Sequence, residues 1–282
     1  MASNSSGRPA DPFTERTPRV VSASKLHRAA ARRKAGAFLA EGANSVEAAL
    51  GAGVAKEVFM TPDALDRFGA LVGAVSHAGI TLSAVTERAM SGLSATVTPP
   101  GIVALCRSIV HDASVPTTDV GAGTRPRIVA IGQALAEPGN VGTLIRAADA
   151  LGADQVWLTS DSADPEGPKA VRASAGSVFH MPVVRGIQVA DVASRASDAG
   201  LELLVATGDG DIDITTPEGH ALLSAPTAWV FGNEAHGVAP ELRDAADARV
   251  RIPLRGRAES LNIATAAAIC LHSSAIAHPP AG

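Results

Sequence analysis

Short apolar segments alternate with helical patterns along nearly the whole chain. The apolar, β-prone runs of the first half fall at 37–40, 57–60, 80–85 and 101–106. Those of the second half fall at 128–131, 155–159, 201–207, 228–231 and 249–252. Helical segments separate them, and alternation of this kind is typical of sheets covered by helices. The pattern predicts an α/β protein with a mostly parallel sheet.

Composition divides the chain of 282 residues into two domains. Residues 108–125 are rich in Pro, Gly, Thr and Asp and show no hydrophobic period, which is typical of a linker. Residues 20–107 and 126–282 are each long enough to bury a core. Residues 1–19 are rich in Ser, Pro and Arg, and we predict that they form a disordered basic tail.

Glycines and polar residues follow directly after predicted strands of the second domain. Gly232 and Glu234 come directly after one strand, and the next strand leads into the loop before Ser260. Ser260 is predicted to open the long alanine-rich helix that follows, with Asn262 in its first turn. Ligands of open α/β sheets bind at the carboxyl ends of strands, so we expect these residues at one rim. Taken singly, each also fits a purely structural role as a turn or a helix cap.

A second candidate region lies in the helix predicted at 141–151. Asn140 is predicted to be its N-cap, and capping alone would account for that residue. Arg146 lies off the apolar stripe of this helix, where it could point into a cleft. A surface salt bridge is the alternative for Arg146.

Three motifs resemble the signature motifs of the SpoU/TrmH family of RNA 2′-O-methyltransferases. They read EPGNVGTLIRAADALGADQVWL from residue 137, FGNEAHGV from residue 231 and RIPLRGRAESLNIATAAAICLH from residue 251. The N-terminal part is similar to the substrate-binding domain that often precedes this module. The pairing resembles 23S rRNA methyltransferases, including the thiostrepton-resistance type. The resemblance covers nearly everything after residue 20.

The resemblance implies a fold and an activity. The first domain would be a small L7Ae/L30e-like α/β domain that binds folded RNA, and the second a SPOUT domain with a C-terminal trefoil knot. General topological rules argue against a knot, so that expectation depends on the resemblance alone. The implied reaction is methyl transfer from S-adenosyl-L-methionine to a ribose 2′-hydroxyl of RNA, with 23S rRNA favoured over tRNA. The implied assembly is a homodimer with active sites at its interface.

The resemblance also assigns roles to residues. The implied catalytic residues are Arg146, Asn140, Glu234, Ser260 and Asn262. The implied cofactor-binding residues are Thr207, Gly232, Ile252 and Leu261. Arg146 would face the 2′-hydroxyl and the phosphate. A guanidinium is a poor base, because its pKa lies far above neutral. The resemblance leaves open whether Arg146 acts as a base or as an electrostatic stabiliser.

Basic residues cluster near the N-terminus. Residues 1–34 hold eight basic and two acidic side chains in a chain of net charge −4, so the remainder carries −10. This asymmetry suggests a basic arm for a polyanion, with a solvated helix face as an equal alternative. The candidate RNA contacts are Arg28, Arg32, Arg33, Lys34 and, in the second domain, Arg172.

Several other classes are disfavoured. No apolar run is long enough to span a membrane, and the N-terminal residues lack the apolar core of a secretion signal. Cys106 and Cys270 lie far apart and the histidines show no metal spacing, so we expect a cytoplasmic protein without a metal. The missing dinucleotide fingerprint disfavours an oxidoreductase. A tRNA methyltransferase and a non-catalytic RNA-binding protein stay open as alternatives.

Overall fold

The chain forms two compact units that divide between Ser108 and Ile109. A computed structural model describes residues 11–121, 125–233 and 236–278. Each unit has its own sheet within these ranges, a mixed one in the first and a parallel one in the second. The predicted α/β class is therefore confirmed.

The first unit builds a four-stranded sheet from its described residues, in the order β1-β4-β2-β3. Its strands are β1 (Ala37–Glu41), β2 (Ala55–Met60), β3 (Thr81–Ala84) and β4 (Ile102–Arg107). Its helices are α1 (Pro18–Ser24), α2 (Ala29–Ala35), α3 (Ala43–Gly51), α4 (Pro62–Arg67), α5 (Gly69–His77) and α6 (Glu87–Leu93). A 3-10 turn at Lys25–His27 joins α1 to α2. The single helix predicted at 62–77 is two helices, because Phe68 leaves the helical conformation at φ −110° and ψ 42°.

The second unit builds an eight-stranded parallel sheet from its described residues, in the order β10-β12-β9-β11-β6-β7-β8-β5. Its strands are β5 (His111–Asp112), β6 (Ile128–Gly132), β7 (Gln155–Thr159), β8 (Val183–Ile187), β9 (Glu202–Ala206), β10 (Ile212–Asp213), β11 (Thr227–Phe231) and β12 (Ala248–Arg251). Its helices are α7 (Pro138–Ala150), α8 (Pro168–Ala173), α9 (Val192–Ala199), α10 (Pro217–Leu222), α11 (Pro240–Ala245) and α12 (Ile263–Ala277). Strand β11 lies between β9 and β6, in the middle of the sheet. The trefoil knot stays a prediction.

Helix α12 packs against the central strands through a polar contact inside an apolar interface. Trp229 on β11 is fully buried, and its indole Nε1 donates to Ser274 Oγ on α12 at 2.8 Å. A buried indole N–H needs an acceptor, and Ser274 supplies one without breaking the helix. Cys270 and Leu271, on the same helix, are also fully buried. The contact fixes the position of α12 along the sheet.

The segment predicted as a linker is ordered over residues 109–121. Its backbone forms the edge strand β5, which pairs in parallel with β8. Arg195 on α9 donates to the carbonyl oxygens of Ala113 and Val115 at 2.9 and 2.8 Å, and Gln155 Nε2 donates to that of Thr117 at 2.9 Å. The described part of the predicted linker therefore belongs to the second unit, held by these hydrogen bonds and by Val115 and Val120, which pack in its apolar core.

Part of the predicted disordered tail is ordered as well. The N–H of Phe13 donates to the carbonyl of Ala84 at 2.8 Å, and its carbonyl accepts from the N–H of Thr86 at 2.9 Å. Phe13 thereby pairs with the end of the edge strand β3 and packs on the apolar core of the first unit. An exposed sheet edge offers unpaired backbone groups, which explains why a polar segment is held there. Residues 1–10 lie outside the described residues.

Helix α7 packs closely on α8 through a glycine. A Cβ atom at Gly142 would lie 2.3 Å from the carbonyl oxygen of Ala170 and 2.7 Å from the Cβ of Ala173. Both distances are far below a van der Waals contact, so only glycine allows the two helices this separation.

Gly142→Ala should destabilise the protein by about 1–3 kcal/mol, because α7 and α8 must move apart to admit the methyl group. Gly139→Ala is the matched control on the same helix, since its added Cβ would meet nothing nearer than 3.5 Å. Urea unfolding of both variants measures the difference. Equal stability of the two variants would contradict the close packing of α7 on α8.

Candidate functional site

A cavity of about 400 Å³ lies in the second unit at the carboxyl ends of β9, β11 and β12. These three strands are neighbours in the sheet, so residues far apart in sequence meet there. The residues that line it are Ala206, Thr207, Gly208, Phe231, Gly232, Asn233, Gly237, Val238, Val250, Ile252, Leu254, Glu259, Ser260, Leu261, Asn262, Ile263 and Ala266. Six of the predicted site residues are among them: Thr207, Gly232, Ile252, Ser260, Leu261 and Asn262. The volume falls in the range of small-molecule sites, roughly 300–1,000 Å³.

The turn after β11 brings two stretches of backbone into unusually close contact. A Cβ atom at Gly232 would lie 2.4 Å from the carbonyl carbon of Gly237 and 2.5 Å from the nitrogen of Val238. The turn is closed by the N–H of Gly237, which donates to the carbonyl of Asn233 at 2.8 Å. Gly237 has φ 68°, which favours glycine. Both glycines are therefore required by the geometry of the cavity wall.

Two amide side chains hold this turn on the sheet. Asn233 Nδ2 donates to the carbonyl of Ala134 at 2.9 Å. Gln133 Oε1 accepts from the N–H of Ala239 at 3.0 Å, and the backbone N–H of Gln133 donates to the carbonyl oxygen of Phe231 at 2.9 Å. Gln133 was not among the predicted site residues. Its signal was available, since it is a polar residue directly after an apolar strand, as Thr207 is.

The rim beside β9 is held by a charged contact. Thr207 Oγ1 donates to Asp209 Oδ1 at 2.5 Å, and Arg243 Nη2 donates to Asp209 Oδ2 at 2.6 Å. The hydrogen bond from Thr207, followed by that from Arg243, lowers the pKa of Asp209 to about 2. Asp209 is therefore ionised at neutral pH and keeps the Thr207–Gly208 segment in place.

The third wall is the loop that leads into α12. Ser260 and Leu261 lie in this loop, and α12 begins at Ile263. The side chain of Asn262 is the cap, since Asn262 Oδ1 accepts from the N–H of Ala264 at 2.9 Å. The prediction that Ser260 opens the helix was therefore wrong by three residues. Asn262 is the better N-cap because its carboxamide oxygen reaches a free N–H of the first turn.

Asn140 and Arg146 lie on α7 and do not line this cavity among the described residues. The predicted N-cap role of Asn140 was wrong. Glu137 caps α7, because its Oε1 accepts from the N–H of Gly139 at 3.0 Å, and Pro138 occupies the first helical position. The hydrogen bond from Lys169 and that from Gly139 lower the pKa of Glu137. Asn140 instead lies in the first turn of the helix.

The side chain of Arg146 is exposed. Within residues 11–121, 125–233 and 236–278 it makes no hydrogen bond or ion pair, so the predicted alternative of a surface salt bridge is not found in this part of the chain. An exposed guanidinium without a carboxylate partner keeps its donors available for an anionic ligand. Glu234, the remaining predicted catalytic residue, lies outside the described residues.

The predicted RNA contacts divide into two groups. Arg28, Arg33 and Lys34 are exposed in the first unit, and Arg172 is half-buried on α8. Arg32 is only 4% exposed, and its Nη1 donates to the carbonyls of Leu26 and His27 at 2.8 and 3.0 Å. Arg32 was wrongly predicted as an RNA contact, because its guanidinium satisfies backbone carbonyls inside the unit.

The cavity, the glycine turn and the capped end of α12 all lie in the part of the chain that matches a known sequence family. The profile of the SpoU rRNA Methylase family matches residues 127–272, and that of the MRM3-like substrate binding domain matches residues 17–104. The chain belongs to the SpoU rRNA methylase family. The three motifs that predicted this family thus contribute to one structural unit.

Relatives and solved structures of this family are similar along most of the chain. The 23S rRNA (guanosine(2553)-2′-O)-methyltransferase RlmP of Bacillus subtilis is 33% identical over 249 residues, which is 88% of this chain and 92% of RlmP. An AdoMet-bound rRNA methyltransferase from Sinorhizobium meliloti is 29% identical, with a TM-score of 0.75 over 92% of this chain and 94% of its own. The SpoU methyltransferase AviRb from Streptomyces viridochromogenes, in complex with AdoMet, is 26% identical, with a TM-score of 0.76 over 93% and 98%. The second unit therefore has the SPOUT fold.

Two further findings concern the described residues only. No cluster of three or more His, Cys, Asp or Glu side chains in this part of the chain could hold a metal ion. None of its helices has both the length and the apolar character needed to cross a bilayer.

Gly232→Ala should destabilise the second unit by about 1–3 kcal/mol, because the new Cβ would overlap backbone atoms that cannot rotate away. Gly208 lines the same cavity, and a Cβ atom added there would meet no atom within 4 Å. Gly208→Ala should therefore change the free energy of unfolding by less than about 0.5 kcal/mol. Thermal unfolding of both variants measures the effect. A Gly232→Ala protein as stable as Gly208→Ala would show that the turn can relax.

Proposed function

We propose that this chain transfers the methyl group of S-adenosyl-L-methionine to a ribose 2′-hydroxyl of 23S rRNA. The observation that carries the proposal is the cavity at the ends of β9, β11 and β12, which brings the second and third family motifs together. Similarity to RlmP and to two AdoMet-bound structures supports the cofactor and the rRNA substrate. Because ribosomal RNA is in the cytoplasm, we place the enzyme there.

The residues of the cavity fit the cofactor. Phe231, Val250, Leu254 and Ile263 provide apolar walls. Backbone groups of Gly232, Ile252 and Leu261, which line the same cavity, are proposed to hold the cofactor. The bound cofactor supplies a methyl group already activated by its sulfonium, so the transfer requires no metal. Thr207, whose hydroxyl is held by Asp209, borders the same space.

The difficult partner in the reaction is the ribose hydroxyl. Its proton is lost at a pKa far above neutral, so the protein must hold the oxygen in line with the methyl carbon and stabilise the developing negative charge. Correct alignment can supply roughly 7–11 kcal/mol of the reduction in the barrier at best. We assign to Arg146 the positioning of the adjacent phosphate and the stabilisation of the alkoxide, because a guanidinium is a poor base. Asn140, Ser260, Asn262 and Glu234 are proposed to position Arg146 and the cofactor.

A homodimer accounts for the position of Arg146. Arg146 and Asn140 do not line the cavity of their own chain, so we propose that Arg146 reaches the cavity of a second copy. Helix α12 offers a candidate contact surface, because Ile276 is 68% exposed and His272, one turn earlier, is exposed too.

One alternative substrate is tRNA, and one alternative function is RNA binding without catalysis. The match of residues 17–104 to a substrate-binding domain found with rRNA enzymes favours rRNA, by analogy with those relatives. Incubation with tritium-labelled cofactor and either total rRNA or total tRNA separates the three. Label in 23S rRNA supports the proposal, label in tRNA alone replaces the substrate, and absence of label from both contradicts catalysis.

Arg146→Ala should lower methyl transfer to 23S rRNA by about 100- to 1,000-fold, because it removes the stabilisation of charge in the transition state. Cofactor affinity measured by calorimetry should stay the same, since Arg146 is proposed to contact the ribose oxygen and its phosphate and not the cofactor. Arg146→Lys should restore only part of the rate, because a lysine lacks the planar fork. An equal loss of activity and of cofactor binding would indicate a structural role.

Mixed dimers test which copy supplies Arg146. Gly208→Trp places a bulky ring at the cavity rim and should abolish cofactor binding. If Arg146 acts on the partner's cavity, mixing this variant with Arg146→Ala creates one intact site in each mixed dimer, and random assortment restores up to about one quarter of the wild-type activity. If Arg146 acts within its own chain, every site keeps one defect and the mixture stays inactive.

A further inference from the structure

A second cavity lies in the first unit, between the N-terminal helices and the sheet. Its volume is about 520 Å³. Three cationic side chains border it, Arg19 on α1, Lys25 in the 3-10 turn and Lys34 on α2. Leu26 and Leu105 contribute apolar surface to the same space. The cavity combines positive charge with an apolar wall.

The two lysines are available to a ligand. Both are exposed, and neither side chain makes a hydrogen bond or an ion pair with any residue in the part of the chain that the structure describes. Two unpaired ammonium groups at the mouth of one cavity attract a polyanion and are suited to contacts with phosphate.

A carboxylate occupies the inner wall. Glu57 is 9% exposed, and its Oε1 accepts from Ser83 Oγ at 2.6 Å and from Arg19 Nη1 at 3.4 Å. Its second oxygen, Oε2, accepts no hydrogen bond from the described residues. A carboxylate oxygen of this kind is a suitable acceptor for the amino group of a nucleobase.

We propose that this cavity binds one unstacked nucleotide of the RNA substrate. Lys25 and Lys34 hold its phosphate, Leu26 and Leu105 contact its base, and Glu57 accepts from the base. Single-stranded RNA is recognised through splayed bases and backbone charge. The chain has no tyrosine, and in this cavity leucine side chains would contact the base. The inference depends on the proposed function for the identity of the RNA, but not for the presence of the site.

The charged part of the site is tested by two double variants of the full chain. The probe is a fluorescently labelled transcript of a 23S rRNA fragment that wild type methylates or, failing methylation, binds. Lys25→Ala/Lys34→Ala should weaken binding by about tenfold or more and lower the salt slope by about two, since two phosphate contacts are lost. Arg16→Ala/Lys56→Ala removes the same charge from exposed positions of the same unit that neither line the cavity nor are predicted RNA contacts. An equal loss in both variants would overturn the proposal, because it indicates diffuse attraction.

The shape of the site is tested without a change of charge. Ala31→Leu fills the cavity and should weaken RNA binding with an unchanged salt slope, whereas Ala30→Leu, exposed on the same helix and outside the cavity, should not. Unchanged binding by Ala31→Leu overturns the proposal. Circular dichroism melting of both variants confirms that each is folded.

A free nucleotide would offer the cavity the same phosphate and base as a nucleotide of an RNA chain. Calorimetry with the four nucleoside monophosphates distinguishes the two. Weak binding of all four, together with the RNA effects above, supports the proposal, while tight binding of one of them with unaltered RNA affinity in the lysine variant overturns it. Cofactor affinity should be unchanged by the lysine variant, because neither lysine lines the cavity of the second unit. Absence of methylation by wild type would contradict the proposed function alone, because RNA binding is measured separately.

Discussion

The close contact of two backbone segments at Gly232 is the constraint on which the candidate site depends. The chain leaves the central strand β11 and returns against itself at Gly237 and Val238, at distances that a side chain at Gly232 would prevent. Asn233 and Gln133 hold the turn on the neighbouring strand ends. The cavity therefore has a wall formed by two closely packed backbone segments.

The rest of the second unit keeps the other walls in register with that turn. Strand β9 pairs with β11, and β12 pairs with the other edge of β9. The carboxyl ends of these parallel strands therefore lie at the same rim as the turn. The Trp229–Ser274 hydrogen bond sets the position of α12 on the sheet, and Asn262 fixes where the helix begins. These contacts lie outside the reaction itself, yet they determine the distances between the groups that line the cavity.

Motifs predicted the site better than they predicted local structure. Glycines and polar residues after apolar strands were sufficient to indicate Gly232 and the loop before α12, because parallel strands place their carboxyl ends together. The family resemblance was needed to indicate Thr207 and Ile252. Helix boundaries were less accurate, since Ser260 and Asn140 both have the side chains of N-caps but Asn262 and Glu137 have the geometry. The segments predicted as tail and linker contain ordered parts, because donors from distant residues hold them.

The sequence by itself determined the α/β class, the two domains and the family, since periodicity, composition and ordered motifs are local properties of the chain. Only the tertiary structure decided which charges are available. Arg32 and Arg33 are neighbours in a basic run, but one guanidinium is buried against backbone carbonyls and the other is exposed. Likewise, Arg146 belongs to the first family motif but does not line the cavity of its own chain. Burial and distance arise from packing between remote segments, and a sequence pattern carries no direct record of them.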